Sequence, residues 1–340
     1  QASVGGSFSV DLQMPGVQQM DSIGGVNVSL SSGEASFAWS SHSMGAVPGS
    51  VGFGVQFQAS NPDEPGLPSG WSLQAASSSE YQRIVVAEDG SVGLVSTNGM
   101  IVNYREGAGG AYTPVKLGSG ENYTTGLAPV LIKNPDGTFA VVTKGSTSVF
   151  TLDAATKIAY LSSVTSDSSP MLGQSWTDGR LRSVSDPVSG RKIEFVYGGG
   201  DCPGPVSGFI AAPKGMLCRV KFWDGSTSAL LYVDTPVGPS IGRLIDYPEA
   251  RGEGAQVVDL AYDGAGRLAR TRSPLVAAAA ASGVVGADDE QFWTSVTYTP
   301  TGRVASITEQ APVAGATRCT RSYANEGSLT QVSDSCFGGP

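Results

Sequence analysis

The sequence predicts an all-β protein, made of many short antiparallel hairpins in a wound, shell-like sheet with almost no helix. Three observations lead there. Apolar residues come in short runs with period two, which puts one row of side chains on a core face and the next toward solvent. Glycine (46) and proline (20) punctuate those runs, yet 40 % of the 340 residues are hydrophobic. That is too apolar for a disordered Gly/Ser-rich chain and suits strands joined by tight turns. Finally, no window of a dozen residues keeps a 3.6 period. Only Leu275–Ala281 has helix propensity, enough for one turn in a loop.

The elements follow in order. Phe8, Val10 and Leu12 alternate with Ser7, Ser9 and Asp11. Val26, Val28 and Leu30 repeat the pattern, as do Val51, Phe53, Val55 and Phe57. Asn61 to Ser69 holds three prolines and two acids and reads as a surface loop, after which Gly70-Trp71-Ser72-Leu73 resumes structure. Further short strands are expected at Arg83–Val86, Met100–Tyr104, Pro129–Ile132, Phe139–Thr143, Ser148–Leu152 and Ile158–Leu161. Glu88-Asp89-Gly90, Asn98-Gly99 and Asn134-Pro135-Asp136-Gly137 supply the positive φ that tight hairpin turns need.

Beyond about residue 165 a repeat emerges. Trp176-Thr177-Asp178-Gly179-Arg180-Leu181 runs to an alternating strand closing on Tyr197. A decayed copy spans Phe222-Trp223-Asp224-Gly225 to Gly242-Arg243-Leu244 and Tyr247. Then come Tyr262-Asp263-Gly264-Ala265-Gly266-Arg267-Leu268 and Tyr298 with Gly302-Arg303-Val304. Tyr323 to Leu329 is a last copy, without the arginine. The common unit is tyrosine, a few turn residues, glycine, arginine and an aliphatic. One hairpin cannot bury its apolar face alone, so repeated hairpins imply stacked or wound neighbours. The chain divides into an N-terminal β region, 1–165, and a hairpin-repeat region, 166–340, continuous with it.

Tyr262-Asp263 followed by Gly266-Arg267-Leu268 resembles the YD repeat of the Rhs/YD-repeat superfamily, which includes bacterial Rhs and wall-associated proteins, toxin-complex cocoon subunits and teneurins. The Gly6-to-Leu12 strand, Gly70-Trp71-Ser72-Leu73 and the Asp136-Gly137-Thr138-Phe139 turn with Phe150 resemble the region preceding such repeats. The resemblance implies a non-enzymatic shell segment of an exported protein, enclosing or displaying a polymorphic toxin or cell-surface module. Its partners would be the rest of a larger Rhs-type chain or its toxin cargo, and no cofactor is implied. The Gly-Arg pairs, at 179, 242, 266 and 302, are few and irregularly spaced, and no Asp-Pro-x-Gly-Leu motif or toxin domain is seen near Pro340. The expectation is therefore a piece of shell, or a short stand-alone member, without cargo.

The motif itself reads as structural. Tyrosine packs against cross-strand neighbours while its hydroxyl reaches a polar rim. Glycine makes the turn, and arginine lies over a ring or pairs with an Asp of the next hairpin. Gly179, Arg180, Tyr197, Tyr262, Asp263, Gly266, Arg267, Tyr298, Gly302 and Arg303 are the residues expected to hold the sheet.

Other chemistry is thinly represented. With 21 Lys+Arg against 30 Asp+Glu, the net charge is −9 and no basic cluster marks a nucleic-acid surface. No apolar run approaches the roughly 20 residues of a membrane span. Gly238-Pro239-Ser240-Ile241-Gly242 matches a nucleophile-elbow string, but strand-like sequence follows where a helix should open, so a Pro-Ser turn explains it better. His42 is the sole histidine, so any Ser-His-Asp arrangement must use it; Ser41 and Ser43 beside it suggest an exposed loop. Most acids, including Asp63-Glu64, Asp136, Asp178, Asp263 and Asp288-Asp289-Glu290, read as solvated turns. No metal-ligand spacing is present. Trp39, Trp71, Trp176, Trp223 and Trp293 are core anchors if buried and sugar platforms if exposed. The rival function is accordingly a secreted carbohydrate- or protein-binding module of adhesin type.

Cys202 with Cys218 and Cys319 with Cys336 form two local pairs separated by 16 and 17 residues. Proximity suggests two disulfides, each worth about 3 kcal/mol by loop closure, though four cysteines allow three pairings and four buried thiols are the alternative. Disulfides imply a secreted or cell-surface protein. Alkylating the unfolded, unreduced chain then adds no mass, and alkylation after reduction modifies all four cysteines; adducts before reduction would remove the case for export.

Overall fold

The computed structural model describes the chain apart from residues 1–5, 12–19, 48, 62, 76–78, 97–100, 116–127, 167–171, 205, 248–253, 287, 327–328 and 337–340. Leu12, Asn98-Gly99, Met100 and Gly327-Ser328, all used in the sequence reading, lie outside the described residues.

Antiparallel strands make up nearly all the regular structure. Thirteen form one sheet. From Gly173–Thr177 to Leu329–Asp334 each strand pairs with the next in the chain, and the N-terminal strand Gly6–Asp11 pairs with Leu329–Asp334 at the far side. Every Tyr/Gly-Arg unit therefore lies in a single ribbon. A second layer of five strands (Met20–Ile23, Val26–Ser29, Ala35–Ser40, Phe53–Gln58 and Trp71–Ala75) faces it. The main core fills the space between, with Val26, Val55, Phe57 and Trp71 from one side and Leu181, Ile193, Leu217, Leu244, Leu268 and Val304 from the other.

The third body was not foreseen. Eight strands between Tyr81–Val86 and Ile158–Ser166 close into an up-and-down barrel, because Ile158, Ala159 and Tyr160 pair with Val85, Ile84 and Arg83 of the first strand. Alternation along a strand is the same whether its sheet is open or closed, so the sequence pattern could not show this. Ile84, Leu94, Tyr104, Leu131, Phe139 and Phe150 fill the interior, each at most 1 % exposed. An eight-stranded barrel is just wide enough for that filling, and this one is a packed core.

One interaction recurs along the large sheet. β-Bulges fall immediately before Tyr197, Tyr232, Tyr262 and Tyr298. In each case the unpaired residue (Cys218, Gly242, Ala269 or Ala305) lies on the next strand, and the tyrosine donates its hydroxyl to a main-chain carbonyl of the preceding strand. The acceptors are Leu181 (2.9 Å), Leu217 (2.6 Å), Ile241 (2.7 Å) and Leu268 (2.7 Å). The hydroxyls thus end on backbone, not on a polar rim. Trp176 follows a bulge in the same way and gives its indole N–H to Leu161 of the last barrel strand, 2.7 Å away, so the series begins on the barrel. Tyr232, in a copy without Gly-Arg at its turn, belongs to the series and escaped the sequence reading.

Several other expectations are corrected. Gly238–Tyr247 is one ten-residue strand, so Ser240 lies within a strand and not in a turn, and accepts the Trp71 indole N–H at 3.2 Å. Gly242-Arg243 is mid-strand. A Cβ at Gly242 would come within 2.4 Å of Val233, so close strand packing sets that glycine. Pro274–Ala281 is an α-helix of eight residues, more than a single turn. The segment read as a surface loop, 61–69, is wedged between bodies: Glu64 and Leu67 are each 7 % exposed. Glu64 therefore is not a solvated turn acid.

Tyr262→Phe should lower stability by about 1 kcal/mol by leaving the Ile241 carbonyl short of a donor, and Leu268→Ala by about 2–5 kcal/mol. Urea titration measures both. A phenylalanine variant as stable as the parent would remove the tyrosine bond from the account. Gly266→Ala should also destabilise, since Gly266 has φ +76° and its Cβ would stand 2.3 Å from Val237.

Candidate functional site

His42 lies in the segment after Ala35–Ser40 and crosses to the large sheet. Its backbone N–H donates to Asp246 Oδ2 at 2.7 Å, its Nδ1 is 2.8 Å from Asp246 Oδ1, and its Nε2 is 2.8 Å from Ser226 Oγ. Strand pairing sets Asp246 opposite Ser228, whose hydroxyl also donates to Oδ1 at 2.6 Å. Ser226 follows the Phe222-Trp223-Asp224-Gly225 turn, where Gly225 takes φ +90°. The Phe222 ring covers the imidazole at 4.1 Å between centroids. The sequence offered no signal for these partners, which lie 184 and 204 residues from His42. In the segment expected to be an exposed loop, Ser43 is exposed but the His42 side chain is turned inward and 9 % exposed.

The connectivity is that of a Ser-His-Asp relay, but the proton inventory differs. Ser226 has one hydroxyl hydrogen, and Asp224 Oδ1 accepts it at 2.5 Å. With that hydrogen engaged by Asp224, the Ser226 hydroxyl does not present it to the ring. Ser226 is also 3 % exposed, which leaves its oxygen out of reach of a substrate.

The repeat residues serve as ties. Arg267 bonds Asp263 of its own turn (Nε–Oδ2 2.8 Å) and lies over the Tyr298 ring at 4.2 Å. Burial pushes the Asp263 carboxyl up, but Arg267 and the backbone N–H groups of Arg267 and Ala265 hold it below the usual range. Arg180 Nε donates to the Gly215 carbonyl at 2.8 Å. Arg303 reaches across to the Ser31 and Ser32 carbonyls of the five-stranded layer at 2.6 and 3.0 Å. Gly179, Gly266 and Gly302 all have positive φ. Tyr197 sits beneath Arg182, 5.2 Å from its ring centroid.

A cleft of about 550 Å³ opens between the layers. Phe37 and Trp39 line one side; Thr271, Arg272, Glu309, Gln310 and Thr317 line the other. Arg272 is fixed there by Asp259 (2.6 Å) and by stacking on Trp293 (4.2 Å). Trp71 is fully buried, while Trp39, Trp176, Trp223 and Trp293 are half-buried, so none is an open platform. Among the described residues no cluster of His, Cys, Asp and Glu could hold a metal. Disulfides join Cys202 to Cys218 and Cys319 to Cys336. No helix of the described residues is long and apolar enough to cross a membrane.

No protein-family model matches the chain, and no curated protein matches it. Among solved structures, a TcdB2-TccC3-TEV crystal structure is 12 % identical with a TM-score of 0.29, over 88 % of this chain and 15 % of that one. TcdB2-TccC3-Cdc42 gives 12 % identity and 0.30 over the same shares. A Photorhabdus luminescens Tc holotoxin pore gives 10 % and 0.20, over 89 % and 19 %. This chain thus spans less than a fifth of the length of each. The overlap at these TM-scores is too loose to carry an argument.

Asp246→Ala should cost about 1–3 kcal/mol, because it leaves the His42 ring and main-chain N–H and the Ser228 hydroxyl without their acceptor. Denaturant titration checks this, and a loss below about 1 kcal/mol would mean the His42 crossing ties nothing.

Proposed function

We propose that this chain is a non-enzymatic wall segment of an exported YD-repeat protein, a scaffold that encloses or displays another polypeptide. The observation that carries this reading is the single thirteen-stranded ribbon, in which successive aromatic residues bond back to the strand before. Such a ribbon is extensible by repetition, and its recurring tyrosine hydroxyls join strands. Two disulfides favour an oxidising, extracellular setting. The toxin-complex likeness named in the motif is an analogy of sequence pattern alone.

The test uses the complete natural reading frame. Limited proteolysis with mass spectrometry should find sequence outside residues 1–340 protected until the β-body unfolds; flanking sequence that digests freely while the body stays folded would sink enclosure. For the absence of catalysis, a fluorophosphonate probe should leave Ser226 unlabelled. Labelling lost in His42→Ala would instead establish a serine hydrolase.

A binding module is the second reading, favoured by one feature: the cleft that brings Trp39 opposite Glu309 and Gln310. A sugar or peptide seated there would change tryptophan fluorescence, and the change would be lost in Trp39→Ala.

A further inference from the structure

Glu64 sits where all three bodies meet. Its Oε2 accepts the Leu73 N–H of the five-stranded layer at 3.2 Å and lies 3.5 Å from Nη1 of Arg83, on the barrel strand Tyr81–Val86. Two residues on, the Gly66 carbonyl accepts the Leu217 N–H of the large sheet at 2.7 Å. A Cβ at Gly66 would stand 2.5 Å from the Tyr197 ring, and one at Gly179 would meet Pro65 at 3.1 Å and Tyr160 Oη at 2.9 Å. The loop is thus clamped between sheet and barrel. The joint is also short of a hydrogen bond. Buried Arg83 Nε, on the barrel side, has no hydrogen-bond partner among the described residues.

We propose that Glu64 is a proton-operated latch: with its carboxyl protonated the barrel is locked against the two sheets, and on ionisation that docking loosens. A carboxylate at this place is removed from water and opposed by a single cation at 3.5 Å, longer than a charge-assisted hydrogen bond, so desolvation outweighs attraction. Burial accordingly lifts the carboxyl from 4.5 to about 7, against the lowering pull of Arg83 and the Leu73 N–H. The other ionisable groups around it come from every packed element. Tyr160, on Ile158–Ser166, is pushed up to about 12 by burial. Tyr197, on Lys192–Tyr197, is raised by burial too, with Arg182 and Arg180 beside it. Asp153 faces Tyr160 from the neighbouring barrel strand. Both tyrosines stay neutral through the range in which Glu64 titrates. Because the closed joint holds its proton more tightly than the open one, the latch is at full strength below about pH 4.5. It weakens as pH rises and reaches its floor above about 7. The inference is independent of whether the chain is part of a container.

Hydrogen exchange of the full chain, corrected for intrinsic rates, reads the joint directly. Between about pH 5 and about pH 8, opening of Tyr81–Val86 and Ile158–Ser166 should rise by roughly seventyfold, while Leu268–Arg272 changes little. In Glu64→Gln the barrel strands should keep their low-pH protection at both values. If that variant does not fold, Arg83→Gln serves: removing the one opposing cation should enlarge the rise in opening and extend it to higher pH. A wild-type joint indifferent to pH, a Gln variant that opens like the parent, or an Arg83→Gln rise no larger than the parent's would each overturn the proposal.

Discussion

The hydrogen bond from an aromatic side chain to a carbonyl of the previous strand is the constraint on which the large sheet depends. A ladder alone leaves an antiparallel ribbon free to slip by two residues, since the side-chain faces would still match. A bulge removes that freedom by inserting one unpaired residue at a set place. The tyrosine after the bulge then spans to a carbonyl beside a fully buried aliphatic, Leu181, Leu217, Ile241 or Leu268. Register, twist and core packing are thereby coupled at each rung. Trp176 does the same against Leu161 and so sets the ribbon's first rung relative to the barrel.

A broad, one-sided sheet still has to cover its apolar face. The five-stranded layer does so and is held by charged ties that cross the gap. Arg321 bonds Asp21 and Asp334 at 2.7 and 2.8 Å, and Tyr323 bonds Asp21 at 2.8 Å. Arg303 takes two carbonyls, and His42 reaches Asp246. The carboxylates of Asp246 and Asp334 are buried but held by several donors each, while the centre between the layers is aliphatic and aromatic. Glu64 is the exception: a lone acid at the inner joint, with poor pairing. It is therefore the place where proton uptake and docking are coupled.

Much of this was legible in local sequence. Asp263-Gly264-Ala265-Gly266 announces its turn because positive φ is nearly free only for glycine, and Asp263 caps the turn with its own side chain. The alternation of Val51 to Phe57 gave its buried face without help. Barrel closure was hidden, because Ala159 meeting Ile84 is a contact between residues whose own neighbourhoods look like any other strand. The wedge at 61–69 was misread because proline and acid mark loops but not what covers them. Tyr232 went unnoticed because its bulge, not its turn, is what it shares with the other copies. His42 is the one imidazole in the sequence, yet its setting depends on Asp246 and Ser226, brought near by strand order.

The amino-acid sequence by itself determined the strands, their faces and their turns, since period-two patterning and glycine placement act over a few residues. Tertiary structure alone decided which strands close into a barrel, which layer covers the ribbon and which acid is stripped of water. Those outcomes rest on contacts between segments scores to hundreds of residues apart, where burial and hydrogen-bond partners, not local propensity, set the free energy.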